Sequence, residues 1–298
     1  MMNRRVFIYQ TSGLILSAWL LPSFKPFYAD KMDRIGMGTV LFRYRFKQTK
    51  PAEIAAIKNE LTLLDVPAYY RDRFKVKQLE FWSNHFESLD KSYLTDLKSK
   101  IKASGGQLLN VQIDSSYNLA AADEAERLKS IEHVKQWMDA VSFLGSKCVR
   151  INPGSASGSV DKSIESMKLV NQYAKSKNLI LLSENHFGIE MNPDVHLRIV
   201  KEAGPGNYTL PDFGNYPRAT MYDSLEKILP HAYMISAKAD AFNDQMEHIS
   251  YDFDRCVQMA EKAGFKGIYS VEQWNNKYLD IDFEKVADWL VDHVKRNI

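Results

Sequence analysis

From Arg34 onward, short apolar runs alternate with longer stretches in which apolar residues recur every three or four positions. The runs RIGMGTVL (34–41), QLEFWS (78–83), QLLNVQI (107–113), KCVRIN (147–152), NLILLSE (178–184), YTLPD (208–212), AYMISAK (232–238) and GIYSVE (267–272) read as strands. The NLILL portion shows none of the polar alternation of a half-exposed strand, which marks a strand covered on both faces. Between the runs the spacing predicts helices. One begins near Pro51, with Ile54, Ile57, Leu61 and Leu64 on one side; the next passes through Leu94 and Ile101 and stops at Gly105-Gly106. A long helix follows with Leu128, Ile131, Val134, Met138, Val141 and Leu144 in one stripe. Another covers 161–176, and a fifth starts with Asn192 as N-cap and Pro193 in its first turn, ending before Gly204. Three more fall near 222–229, 251–263 and 282–296.

Alternating strands and helices demand parallel strands with covering helices. Eight such units between residue 34 and the C-terminus match the usual size of a (β/α)8 barrel, roughly 250 residues. A doubly wound open sheet would carry a Gly-rich phosphate turn after its first strand, whereas GMGTV lies inside the first run. The expectation is an α/β protein, a single (β/α)8 TIM barrel over residues 30–298, with no linker or low-complexity break.

Residues 1–29 stand outside that pattern. Arg4-Arg5 precede an apolar segment, Gly13 to Leu21, too short to span a bilayer but suited to the core of an export signal. The order Asn3-Arg4-Arg5-Val6-Phe7-Ile8 resembles a twin-arginine signal, which implies export to the periplasm. Phe27-Tyr28-Ala29 is a weak cleavage site, which leaves retention as an anchor open. The whole chain has net charge +2; removing Arg4, Arg5 and Lys25 from its 39 basic residues leaves 36 against 37 acidic, a net −1. Such a surface advertises no nucleic-acid or anionic-membrane face. Two cysteines, Cys148 and Cys256, are too few for a disulfide framework or a thiolate metal site and read as core residues, while an oxidising compartment would permit a bridge between them.

A barrel changes what the polar strand ends mean, because active sites in this architecture are assembled at the carboxyl ends of the strands. Glu184, Asp212 and Glu272 end the fifth, sixth and eighth runs, so three carboxylates converge on one mouth. Like charges at close range need a cation or a proton, and oxygen ligands favour a divalent ion of the Mn²⁺ or Mg²⁺ class. Lys238 ends the seventh run and would face the same mouth. Arg150 and Asn152 alternate at the end of the fourth, and His186 lies two residues beyond Glu184. Trp82, near the end of the second run, and His85, just beyond it, are expected to form an aromatic wall for a sugar ring.

ENHFG at 184–188, then Asn192-Pro193, then LPDFGNYP at 210–217, resemble the strand-five-to-six region of the xylose-isomerase-like barrels, also described as sugar phosphate isomerases/epimerases. WMDAVSFLGSKCVRINPG (137–154) and GFKGIYSVEQW (264–274) add to the resemblance, which extends over everything after residue 33. It implies a divalent metal held by Glu, Asp, His and Glu from strands five to eight. Glu184, Asp212 and Glu272 match three of these; where the family commonly has His-x-Lys, this chain has Ser236-Ala237-Lys238. Completion of the site would then fall to His186 or water. Asn215 matches the family's DFGN and is expected to contact substrate or orient Asp212.

The chemistry this implies is metal-assisted proton abstraction next to the carbonyl of a non-phosphorylated keto-sugar, with Glu184 and Glu272 as the acid–base pair and Lys238 at the developing oxyanion. His186, Asn215, Arg150, Asn152, His85 and Trp82 would bind the sugar. The outcome is isomerisation or epimerisation, with a lyase or dehydratase using the same enolisation, or a non-catalytic carbohydrate-binding barrel, as alternatives. An endonuclease-like phosphodiesterase would need a histidine-rich multi-metal site, and the chain has seven histidines with few at strand ends. The expected partner is a small sugar; nucleic acid and a membrane span beyond the signal are not expected, and oligomeric state is left open.

Overall fold

The computed structural model describes residues 30–114, 116–274 and 282–298. The export signal expected in residues 1–29 lies outside the described residues. Eight strands run parallel: β1 (Ile35–Gly38), β2 (Gln78–Trp82), β3 (Gln107–Gln112), β4 (Cys148–Ile151), β5 (Ile180–Glu184), β6 (Asn207–Leu210), β7 (Met234–Ala239) and β8 (Ile268–Gln273). From β1 to β6 each strand pairs with its sequence neighbour, as does β7 with β8, and β8 pairs with β1. Bridges from Thr209 to Ala232 and from Asp212 to Ser236 join β6 to β7, closing the expected (β/α)8 barrel.

The helices are α1 (Val66–Tyr69), α2 (Lys91–Ala103), α3 (Glu124–Leu144), α4 (Val160–Ser176), α5 (Pro193–Glu202), α6 (Met221–Ile228), α7 (Phe253–Lys262) and α8 (Phe283–Asn297). Local chemistry sets their ends. The Asn192 side chain accepts from the backbone N–H groups of Asp194 and Val195, satisfying two donors that the first turn of α5 leaves orphaned. Gly204 follows the end of α5 with φ +93°, a conformation in which a Cβ would be strained. None of the described helices is long and apolar enough to cross a membrane.

Three expectations fail. The helix from Pro51 does not form: Asn59 takes φ +53° and the Leu61 N–H bonds to the Arg45 carbonyl, so the chain folds back through turns and becomes helical only at α1, which continues into a π-helical turn over Tyr70–Phe74. The first strand ends at Gly38, and Thr39–Arg45 coils into tight 3₁₀ turns over the barrel mouth. Leu128 departs from the α3 stripe and is 47% exposed, while Ile131, Val134, Met138, Val141 and Leu144 are buried.

The barrel interior is layered. Cys148, Leu182, Leu210 and Met234 form an apolar plug among the inward positions of β4 to β7. Polar groups follow toward the carboxyl ends. Glu80 is fully enclosed and accepts from Asn110 Nδ2 at 2.7 Å and Ser270 Oγ at 2.5 Å. Burial pushes its carboxyl up to about 7. The larger apolar core lies between sheet and helices, with Val141, Val170, Leu225 and Leu290 wholly buried.

Candidate active site

At the carboxyl ends of the strands lies a cavity of about 440 Å³, lined by Trp82, Gln112, Asp114, Arg150, Asn152, Glu184, His186, Lys238, Glu272 and Trp274 among others. Strand geometry explains the membership. Side chains two apart on a strand share a face, so Arg150 with Asn152 and Gln112 with Asp114 point to the same side. Parallel register sets Lys238 opposite Glu272.

Glu184 and Asp212 are fixed by reciprocal contacts. Between Glu184 and His186, Asn185 is fully buried: its Nδ2 donates to the Asp212 carbonyl (3.0 Å) and its Oδ1 accepts the Asp212 N–H (2.8 Å). That clamp ties the end of β5 to the segment after β6, which is why a buried strand ends in an amide. Glu184 Oε1 accepts from Asn215 Nδ2 at 3.2 Å, and Oε2 lies 2.8 Å from Arg150 Nε. Burial drives the Glu184 carboxyl well above its ordinary range; Arg150 opposes this, and Asp212 and Glu272 add to it.

Asp212 has no exposure and lies behind the cavity wall. Its Oδ1 accepts the Gly214 N–H (2.6 Å), and its Oδ2 stands 3.2 Å from Lys238 Nζ. Lys238 also donates to Asn215 Oδ1 and reaches to 3.9 Å from Glu272 Oε1. Burial alone would lower the Lys238 ammonium, but the charges of Asp212, Glu272 and Glu184 outweigh it and raise it. Glu272 Oε2 accepts from Ser236 Oγ (3.2 Å) and Gln112 Nε2 (3.3 Å). Burial raises its carboxyl, against the pull of Lys238.

Asp114, just beyond β3, is the residue that sequence reading missed. It accepts from Arg150 Nη1 and Nη2, Asn152 Nδ2 (3.1 Å) and the Trp82 indole N–H (2.9 Å). Burial favours its neutral form, but Arg150 overrides that and holds the carboxyl well below its usual range. The polar alternation Asn110, Gln112, Asp114 along an otherwise buried strand was the available signal.

His186 lines the cavity with its Nδ1 3.3 Å from Asn152 Nδ2, and burial with the nearby Arg150 charge lowers it to about 4, so the ring is neutral. Its loop is held by the buried Glu190 side chain, which accepts from the N–H groups of His186 and Gly188. A Cβ on Gly188 would meet the Gly154 carbonyl at 2.1 Å, so only glycine fits there.

The aromatic wall has a different second member. His85 stacks on Phe46 at 3.7 Å and contacts the hydroxyls of Thr39 and Thr49, standing behind Trp82 and outside the cavity lining. Trp274 takes the place expected for it, its ring edge-on to Trp82 at 5.9 Å, with the Arg43 guanidinium 4.6 Å from its centroid. Asn215 lies outside the lining too and joins Glu184 to Lys238. His248, in the loop after β7, pairs with Asp240 at 2.9 Å and stands outside the cavity lining.

The three carboxylates expected to hold a metal are therefore gathered, but around an ammonium. Asp212 and Glu272 face Lys238, Glu184 faces Arg150, and the strand-seven position carries a hydroxyl that donates to Glu272. Among the described residues no three His, Cys, Asp or Glu side chains are grouped so as to hold an ion. A hard divalent cation needs several oxygens converging at roughly 2.0–2.6 Å with no cation among them. Arranged as they are, these residues do not fit one.

The closed barrel with acidic, cationic and aromatic groups meeting over its strand ends defines a (β/α)8 protein with a small-molecule site in the position its architecture favours. The chain belongs to the xylose isomerase-like TIM barrel family, whose profile matches residues 74–296. Its fold is similar to that of D-allulose 3-epimerase from Methylomonas sp. (TM-score 0.66, 13% identity, 89% of this chain and 98% of that one). It is similar as well to 3-keto-D-glucoside 4-epimerase from E. coli (TM-score 0.62, 14% identity, 86% and 98%). A third likeness is a xylose isomerase-like TIM barrel protein from Mycobacterium smegmatis in complex with magnesium (TM-score 0.63, 12% identity, 91% and 99%). No curated protein matches the chain in sequence.

Proposed function

We propose that this protein is an isomerase or epimerase that moves a proton at a carbon next to the carbonyl of a non-phosphorylated keto-sugar or sugar derivative. The observation that carries the reading is the pair of cavity-lining carboxylates, Glu184 and Glu272, delivered by β5 and β8 on either side of β6 and β7. One takes the α-proton and its electron pair moves into the carbonyl, giving an enediolate. The other returns a proton. Return to the opposite face of the same carbon gives an epimer, and return to the neighbouring carbon gives the aldose–ketose isomer. Loss of a β-leaving group from the same enediolate would make the enzyme a lyase. Lys238 and the neutral His186 supply N–H donors at the oxygens where charge develops. Trp82 and Trp274 give the apolar face of a sugar ring a wall to rest on.

A phosphorylated sugar suits the cavity poorly. Its cationic lining residues are Arg150 and Lys238, and both already face carboxylates. A dianion would add charge beside Asp114, Glu184 and Glu272. The family's Mn²⁺- or Mg²⁺-class ion, if it bound, would have to use Glu184, Asp212 and Glu272 and would polarise the substrate carbonyl; no step above depends on it.

Incubation of the wild-type protein with a panel of free and glycosidic keto-sugars in D₂O, followed by proton NMR, tests the function. Deuterium entering one C–H next to the carbonyl is the expected result, and a panel with no exchange at any position contradicts it. Export through the paired arginines is proposed alongside. Fractionation of the native host should recover the protein outside the cytoplasm, and full-length chain confined to the cytoplasm would refute export.

A further inference from the structure

We propose that the Lys238 ammonium takes the place of the divalent ion at this barrel mouth, so that the site works with a cation built into the chain and retains no metal. The inference rests on the proposed chemistry for its mechanistic consequence but on side-chain placement for its content.

Each carboxylate that could serve as a ligand already faces a cation of the chain, although Glu184 Oε2 and Asp212 Oδ2 meet theirs as ion pairs without a hydrogen bond. Asp212 is enclosed behind the cavity wall, one oxygen taken by the Gly214 N–H and the other turned to Lys238. Both oxygens of Glu184 are met, one by Asn215 and one by Arg150. Glu272 receives Ser236 and Gln112 on Oε2 and presents Oε1 to Lys238. The position where an imidazole would complete a metal site is Ser236, itself fully buried and short. A metal would have to displace Arg150 and Lys238 from these oxygens and then sit beside two positive charges.

Lys238 is anchored for the substitute role. Its Nζ donates to Asn215 and stands 3.2 Å from Asp212 Oδ2 as an ion pair, while the side chain still lines the cavity. A further N–H of the ammonium is placed to meet a substrate oxygen as the enediolate forms. Asn215 bridges Glu184 and Lys238, coupling the position of a proton-transfer carboxylate to that of the cation.

The test reads metal directly. Wild-type protein, purified without added metal, should contain well under one Mn, Mg, Zn, Co or Ni per chain by elemental analysis. Calorimetry with Mn²⁺ should show no saturable site, and EDTA should leave the thermal midpoint unmoved, because a ligand that does not bind the native state cannot stabilise it. Lys238→Ala empties the centre of the cluster and leaves its negative charge uncompensated, so Mn²⁺ affinity should rise at least about tenfold. Stoichiometric metal in the wild type, a saturable Mn²⁺ site in it, or a midpoint lowered by EDTA would overturn the inference. So would a folded Lys238→Ala protein that binds Mn²⁺ no better than wild type. Should that variant not fold, the wild-type measurements decide alone. Deuterium exchange seen only after metal addition would sink this inference and spare the proposed function, whereas exchange absent both with and without added metal, in a protein that binds none, would do the reverse.

Discussion

Glu184→Gln and Glu272→Gln will each lower kcat on the true keto-sugar by about 10²–10⁴-fold, the usual contribution of a positioned acid or base. The substitution keeps shape, although in Glu184→Gln the amide nitrogen faces Arg150 where Oε2 paired with it, so a thermal melt accompanies the kinetics. The amide oxygen introduced by Glu184→Gln would still accept from Asn215, and that of Glu272→Gln from Ser236 and Gln112, so the cavity should persist. Removing basicity alone predicts a loss in kcat with KM changed by no more than a few-fold, the pattern of an interaction needed in the transition state. A rise in KM at constant kcat would instead make the residue a binding group. If Glu184 abstracts the proton, its variant loses isotope exchange as well as turnover; Glu272 is then the group that returns it.

The second large effect is on stability. Arg150 is wholly buried and bonded to Asp114 through two nitrogens, with Glu184 2.8 Å from Nε. Arg150→Met fills much of the space but leaves the buried Glu184 and the partly buried Asp114 without their counter-charge. Breaking a buried pair in this way costs about 3–5 kcal/mol. The cost should be largest near neutral pH and shrink as the pH falls, because protonating the stranded carboxyls removes the unpaired charge. Urea unfolding of the wild type and variant measures it. Adding Glu184→Gln to Arg150→Met should recover part of the loss, since it deletes one of the stranded charges. A single-variant loss below about 1 kcal/mol would mean that water reaches Asp114 freely and the pair is not structural.

The parts of this molecule legible in sequence were those set by local rules. The hydrophobic runs place all eight strands because a strand covered on both faces must be apolar, and Asn192-Pro193 with Gly204 bounds α5 because capping chemistry is local. Glu184 and Glu272 were readable as cavity-lining groups for the same reason, a carboxylate ending an apolar run in a barrel being delivered to the mouth, whereas Asp212 is drawn behind the wall by Gly214 and Lys238. What failed was set by distant contacts. The apolar spacing after Pro51 looks helical, but those residues are held by a backbone bond to Arg45 and by the turn at Asn59. Trp274 stands where His85 was expected because Phe46 and Thr39 claim the imidazole while Arg43 steadies the indole. Asp114 carried a signal in its strand's alternation, but its meaning depended on Arg150, 36 residues further along the chain. The pairing of Lys238 with Asp212, on which the charge balance of the site turns, joins side chains from different strand–helix units and is invisible to any local pattern.

The most direct test of the central claim is isotope exchange at the substrate carbon, measured by proton NMR in D₂O on one keto-sugar with wild type, Glu184→Gln and Glu272→Gln side by side. The account predicts deuterium entering a single position next to the carbonyl with wild type and no exchange above background in the variant lacking the abstracting carboxylate. Both variants exchanging at near wild-type rates would place the chemistry elsewhere in the barrel and contradict it.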